Sequence, residues 1–366
     1  MFMMFKKYWQ NTHSKFLLLC LASILMSFQN SVQAQSEFHQ LAKETIEKFP
    51  VETEFAIGMI INGKKRFIGF RKTPHGLEQV RNETDVYQIG SITKVMTASI
   101  LASIANKGKI DLNMDTSQIY DTLYNHKITL KSLANHTSGL NRLPANFAES
   151  AIKNQSNPYM NYGQKEFYEF LNSNFELNNK EYNYSNLGYG LLGHSLEKVT
   201  EKSYEELLQE EIAKPLSMNQ TTSNPSKAQN RVKALDAEGY VTAFWTFDAF
   251  KGVGGVLSST SDMLKFLYAT TQKSHNGINL SLKETHQISE RQAIGLGWHI
   301  LNTKSGNRWY WQNGAVGGFT SCLVTNPESG NAVVVLSNVS AYHPDMQYID
   351  KLCFDSMQKI EKMIKK

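Results

Sequence analysis

The chain has 366 residues, 41% of them hydrophobic and 19% charged, a balance that supplies material for a globular core. Its formal charge of +5 is unevenly placed: Lys6, Lys7 and Lys15 stand ahead of residue 35, where no acid occurs, and the remainder is nearly neutral. There is no basic tail and no Lys/Arg stripe, which excludes nucleic acid as an expected partner.

The N-terminus reads as a secretory signal. Behind the lysines, Phe16 to Phe28 is apolar for 13 residues, short for a membrane span and right for a signal core. Val32 to Ala34 offers small residues before a cut. Residues 1–34 are therefore expected to be removed, leaving a periplasmic or secreted chain with no stable membrane span. The alternatives are an uncleaved anchor or a lipid on Cys20, the latter opposed by the bulky Leu19. Export permits disulfides. Cys322 and Cys353 remain in the mature chain, either as a pair or as two small buried apolar residues. HExxH and CxxC are absent, so no metal is expected.

Ser36 to Phe49 has helical spacing and stops at Pro50. "FAIGMIINGKKRFIGF" places two β-rich runs around Asn62-Gly63, a strong hairpin signal. Ser91 to Asn106 reads as a buried helix closed by Gly108. Between about 110 and 250 the pattern is a helical insertion joined by polar loops, with helices expected over Thr129–His136, Gln164–Asn172, Leu187–Val199 and Tyr204–Ile212. Asp262 to Ala269 is another helix. Strands follow in "GLGWHIL", "NRWYWQ", "FTSCLVTN" and "NAVVVLSN", and Asp345 to Ile364 closes the chain as a helix. Strands at both ends and helices between them imply an α/β (α+β) fold. One antiparallel sheet is built from both chain ends and flanked by the terminal helices.

Three constellations carry chemistry. Ser91 and Lys94 ("SITK") share one face at the start of a helix, whose positive end favours an oxyanion. Serine is inert alone, so a neutral lysine or a tyrosinate has to take its proton. SxxK recurs at Ser150/Lys153, Ser195/Lys198 and Ser356/Lys359, but those serines fall in a polar loop or inside helices, where no unpaired amides remain. The plain alternative for Ser91 is a helix cap. In "YNYSNLGYGLLG", Tyr184 and Asn186 are two apart on an extended segment and share a face. Tyr184 can shuttle a proton, and Asn186 can hold Lys94 and a substrate amide. A rival Tyr159-Met160-Asn161 lies in an Asn-rich loop with no glycine-rich helix after it. In "QNGAVGG", Gln312 and Gly314 face one side of a strand and Asn313 the other. Gly314 leaves room for a substrate backbone, and the amides of Ala315 and Ser91 together can form an oxyanion hole.

These pieces, in this order, resemble the serine β-lactamase and penicillin-binding-protein superfamily. They look most like class C β-lactamases and their relatives, the D-Ala-D-Ala carboxypeptidases, D-aminopeptidases and esterases. "YQIGSITKVMTASILASIANKGKIDL", "ITLKSLANHTSGL", "GVGGVLSSTSDMLKF" and "GLGW" extend the likeness over about residues 38–360. The resemblance implies Ser91 as acylated nucleophile, Lys94 as its proton acceptor and Tyr184 as general base/acid partner. It implies Asn186 on the substrate amide, Ser91 and Ala315 amides on the oxyanion, a small-molecule or peptide substrate (β-lactam, D-alanyl peptide or ester) and no cofactor. One residue departs from the pattern. Where the family carries lysine or histidine, this chain has Gln312, unless the aligned triplet is Lys304-Ser305-Gly306, which reads better as a hairpin turn. Glutamine donates a hydrogen bond without a charge. The expected function is an exported serine hydrolase, with an esterase or a weakly catalytic β-lactam- or peptidoglycan-binding sensor as alternatives.

Overall fold

Asn62-Gly63 turns the chain between β1 (Glu54–Ile61) and β2 (Lys64–Thr73). Both turn residues take positive φ, 49° and 73°, as a tight hairpin requires. The computed structural model in which this hairpin is seen describes residues 36–364, so the expected signal segment lies outside the described residues. Residues 36–46 form a helix, α1. The chain divides at Glu44 into an N-terminal unit and a second compact unit, Thr45–Lys366, to which all that follows belongs.

β3 (Gly76–Gln79) extends the hairpin, while β4 (Val86–Gln88) leaves it to pair with β5 (Leu257–Ser259). The other strands come late: β6 (His286–Ser289), β7 (Gln292–Ile294), β8 (His299–Asn302), β9 (Arg308–Val316), β10 (Phe319–Asn326) and β11 (Asn331–Ser337). Among the described residues the main sheet has nine strands in the order β3-β2-β1-β11-β10-β9-β8-β7-β6. The pairing of β1 with β11, Ile57 opposite Val335, joins the two ends of the chain in one antiparallel sheet, as the pattern implied.

The helices are α2 (Thr93–Asn106), α3 (Leu130–Ala134), α4 (Phe147–Ala151), α5 (Gln164–Leu171), α6 (Asn186–Thr200), α7 (Tyr204–Leu208), α8 (Lys251–Gly254), α9 (Thr260–Gln272), α10 (Asn276–Ser281) and α11 (Gln347–Ile364). β10 and β11 are buried along their whole length because helices cover both faces. α9 packs on β1 and β11, and α11 on β10 and β11. α2 is buried from Thr93 to Ile104, as its apolar composition requires.

The differences from expectation are local. β3, β6 and β7 are three- or four-residue strands at the margins of the sheet, β3 and β6 its two edges, and are too short to show a period. In "GLGWHIL" pairing starts only at His299, because Gly297 (φ 78°) bends the chain first. Ser150 lies in α4 rather than in a loop. α7 ends at Leu208 and passes into a single wide turn, Gln209–Ala213. Cys322 and Cys353 are buried free thiols, with Cys353 Sγ directed at the Val333 carbonyl.

Candidate active site

Ser91 stands in a 3₁₀ turn, Gly90–Ile92, that runs straight into α2. The N-cap positions of turn and helix fall to Ile89 and Ile92, neither with a side-chain cap, so Ser91 is not the helix cap. Its hydroxyl is turned toward Lys94, whose Nζ lies 2.8 Å from Ser91 Oγ. Lys94 is completely buried. Nζ also donates to the Val253 carbonyl at 3.0 Å, so the backbone of α8, rather than Asn186, steadies the lysine. That backbone is latched to α2: Thr97 Oγ1 donates to Gly252 O at 2.7 Å, and Val256 N donates to Thr93 Oγ1 at 3.2 Å. Burial drives the Lys94 pKa well below the ordinary lysine value, and the Arg142 guanidinium pushes it the same way. A neutral amine in hydrogen-bond contact with a hydroxyl is able to accept its proton.

Tyr184 meets the same hydroxyl, and Lys94 Nζ lies 5.1 Å from the centre of its ring. Burial pushes its phenol up to about 12, against the opposing pull of the Ser91 hydrogen bond and of Arg142. Of the two proton acceptors that the sequence left open, tyrosinate and neutral lysine, the environment therefore favours lysine. Two histidines wall the phenol. His136 packs on Tyr184 and Tyr189, with ring centres 4.5 and 5.0 Å away. Its Nδ1 accepts the Ser185 amide at 3.0 Å, which leaves the ring proton on Nε2, a buried atom with no partner among the described residues. His299 stacks on Trp311 at 4.5 Å, lies nearly parallel to Tyr184 at 6.4 Å, and has Nε2 2.7 Å from Tyr182 Oη. Burial, followed by Lys94, lowers both imidazoles: His299 to about 4 and His136 well below its usual value. Both rings are neutral at pH 7.

Ser185, between the two expected site residues, caps α6 by accepting from Gly188 N at 2.8 Å. Asn186 is therefore the first helical residue and not the third position of an extended segment. Its Nδ2 donates to Tyr159 Oη at 3.1 Å, and its buried Oδ1 has no partner among the described residues. Tyr159, set aside as a loop tyrosine, is thus brought to the site as the residue that orients Asn186.

β9 supplies the facing wall. Asn313 points away from the site, as alternation requires, and donates to Asp350 of α11 at 2.7 Å. Gln312 is fully buried, its Nε2 donating to Gly297 O at 3.2 Å and its amide reaching the His299 ring. Gly314 does not leave room for a substrate. A Cβ there would lie 2.1 Å from Ile89 O and 2.9 Å from Ser91 N, so the space is already filled by the Ser91 turn. From the other side, a Cβ on Gly90 would sit 2.8 Å from Ala315 N. The two glycines interlock and seat the Ser91 turn directly against the strand at Gly314 and Ala315. Gly317 closes in the same way against the Trp245 indole. Lys304-Ser305-Gly306 lies in the turn between β8 and β9, and Gly306 has φ 83°.

Arg142, His136 and His299 were not singled out from the sequence. The first two lie in or beside "NHTSGLNR" and the third follows "GLGW". A lone histidine or arginine in a loop carries no local spacing that marks it.

The family model described as Beta-lactamase matches residues 56–355. The D-alanyl-D-alanine-carboxypeptidase/endopeptidase AmpH of Escherichia coli is 27% identical over 353 residues, covering 87% of this chain and 89% of its own. Protein flp of Staphylococcus aureus is 26% identical over 294 residues, which span 74% of this chain and 55% of that protein. Among solved structures, a mutant class C beta-lactamase matches with a TM-score of 0.74 at 17% identity, covering 89% of this chain and 97% of that one.

Proposed function

The chain belongs to the Beta-lactamase family, and from that premise we propose an exported serine hydrolase that forms an acyl-enzyme at Ser91 and cleaves an amide bond of the D-alanyl-peptide or β-lactam type. The observation that carries this reading is the Ser91 hydroxyl held 2.8 Å from a wholly buried lysine amine whose pKa is driven down. Lys94 takes the hydroxyl proton as Ser91 Oγ bonds to the substrate carbonyl carbon. The oxygen that gains charge is received by the Ser91 and Ala315 amides. When the carbonyl re-forms, the C–N bond breaks and Tyr184, a neutral phenol, gives its proton to the departing nitrogen. The Lys94 ammonium restores the proton to Tyr184. Water then attacks the ester carbonyl while Lys94 takes its proton, the C–O bond to Ser91 breaks, and Lys94 returns the proton to Ser91 Oγ as the acid product leaves. Asn186, with its carbonyl end unpaired, accepts a substrate N–H. AmpH, named as a D-alanyl-D-alanine carboxypeptidase and endopeptidase, supports a D-alanyl peptide as substrate. The basic and apolar start of the chain supports export, and no described helix is long and apolar enough to cross a membrane.

A second reading, a sensor that acylates and turns over little, is favoured by Gln312, which puts no charge where the family carries lysine or histidine. A panel separates the two readings: a D-alanyl-D-alanine peptide, a chromogenic cephalosporin and a p-nitrophenyl ester, each with the wild type and Ser91→Ala. The hydrolase reading expects multiple turnovers on the peptide or the cephalosporin, abolished in Ser91→Ala. Turnover that survives Ser91→Ala contradicts it, and acylation that stops at one equivalent selects the sensor.

A further inference from the structure

The positive charge absent from position 312 has a counterpart elsewhere at the site. Arg142 follows the Ser138–Asn141 loop, and its backbone is tied to the tyrosine segment at several points. Its carbonyl accepts the amides of Asn186 at 2.9 Å and Leu187 at 3.1 Å, and its neighbour's carbonyl, Asn141 O, accepts Ser185 Oγ at 2.6 Å. The side chain is exposed, and its guanidinium carbon stands 5.1 Å from the centre of the Tyr184 ring. Among the described residues no hydrogen bond or ion pair engages that guanidinium. The field around it is uncompensated as well. Arg142 acts on Lys94, His136 and Tyr184, Lys94 acts on His136 and His299, and no carboxylate acts on any of the four. With Lys94 held toward its neutral form and both imidazoles neutral, Arg142 is the permanent cation beside Tyr184.

An exposed, anchored guanidinium that lies over the Tyr184 ring and has no hydrogen-bond or ion-pair partner among the described residues, at the rim of a site whose other polar groups are neutral, is suited to a planar anion. We propose that Arg142 is a specificity-determining residue that binds a substrate carboxylate on the Tyr184 side of Ser91, doing from the loop before α4 what residue 312 cannot do from β9. This rests on the acyl-enzyme reading. In a D-alanyl-D-alanine peptide the carboxylate belongs to the leaving residue, so Arg142 would hold the fragment that receives the Tyr184 proton.

The test uses competition at Ser91. A neutral fluorophosphonate labels the mature chain, and labelling is slowed by N-acetyl-D-alanyl-D-alanine or by the same peptide as its C-terminal amide. The readout is the ratio of the two protecting concentrations, taken within each protein, so a change in the labelling rate itself does not enter. In the wild type the carboxylate form is expected to protect at about tenfold lower concentration, the size of one charge-assisted contact. The ratio falls to about one in Arg142→Gln and is partly kept in Arg142→Lys, which retains the charge without the fork. Equal protection by the two peptides in the wild type, no protection by either, or a ratio that survives in Arg142→Gln each overturns the proposal. Failure of the acyl-enzyme reading shows differently, as a wild-type protein that takes no label on Ser91 at all, and it removes the basis of this proposal with it.

Discussion

Lys94 and Tyr184 are shifted in opposite directions by one cause. Burial disfavours whichever form is charged, so it lowers the ammonium and raises the phenol. Over a wide span of pH the site then holds a neutral amine and a neutral phenol on one serine hydroxyl, a base and an acid that need not exchange roles before the first step. The sign of the pH dependence follows. If Lys94 is the base, it can act only above its own pKa, so Ser91 acylation should rise with pH through a limb set by Lys94 and then stay level until Tyr184 loses its proton near 12. Measured as the rate of fluorophosphonate labelling, the limb should lie well below the ~10.4 of a free lysine. A limb at the ordinary lysine value would show that Lys94 is not the base. The pair was legible in the sequence because a three-residue helical spacing fixes two side chains on one face. The neutral histidines and Arg142 were not, because their places come from loops brought together across distances the sequence does not mark.

The Ser91 turn and β9 form one unit held by two glycines. The sequence showed that glycine was needed in "QNGAVGG", but the reason inferred from it, room for substrate, is corrected: at Gly314 the neighbour is Ile89 O and Ser91 N. Gly314→Ala should therefore push strand and turn apart. The expected cost is about 1–3 kcal/mol of stability, the usual range for overpacking, together with a large loss in Ser91 labelling, read by thermal melting and by labelling rate. Gly306→Ala in the β8–β9 turn is the matched control. It meets no atom within 4 Å but carries φ 83°, so it should cost stability through strain and leave labelling intact. If Gly314→Ala labels at the wild-type rate, the interlock does not set the position of the Ser91 amide. Elements with strong local signals, such as the Asn62-Gly63 hairpin, α2, β10 and β11, were legible. The short strands β3, β6 and β7 were not, since pairing rather than pattern makes them strands.

Over the whole molecule, the site exists because the sheet is assembled from both ends of the chain. Gly90 and Ser91 come from the early part, Tyr184 and Asn186 from the helical middle and Gly314 and Ala315 from the late strands. Packing of α2 on α6, α8 and α10, with the Gly90–Ile92 turn ahead of it seated on β9, brings the three together. The layout of strands, helices, strands made this architecture readable. Strand order and the helix that faces each side of the sheet came only from the structure, because period-two patterns say which residues are buried and not against what. Everything proposed for the site depends on Ser91 Oγ as the acylated atom. The most direct measurement is intact mass of the mature chain after incubation with a penicillin or a fluorophosphonate, followed by peptide mapping, with Ser91→Ala alongside. The expected result is a single covalent adduct located on Ser91 and absent from Ser91→Ala. No adduct with either reagent, or an adduct on another residue, would contradict it.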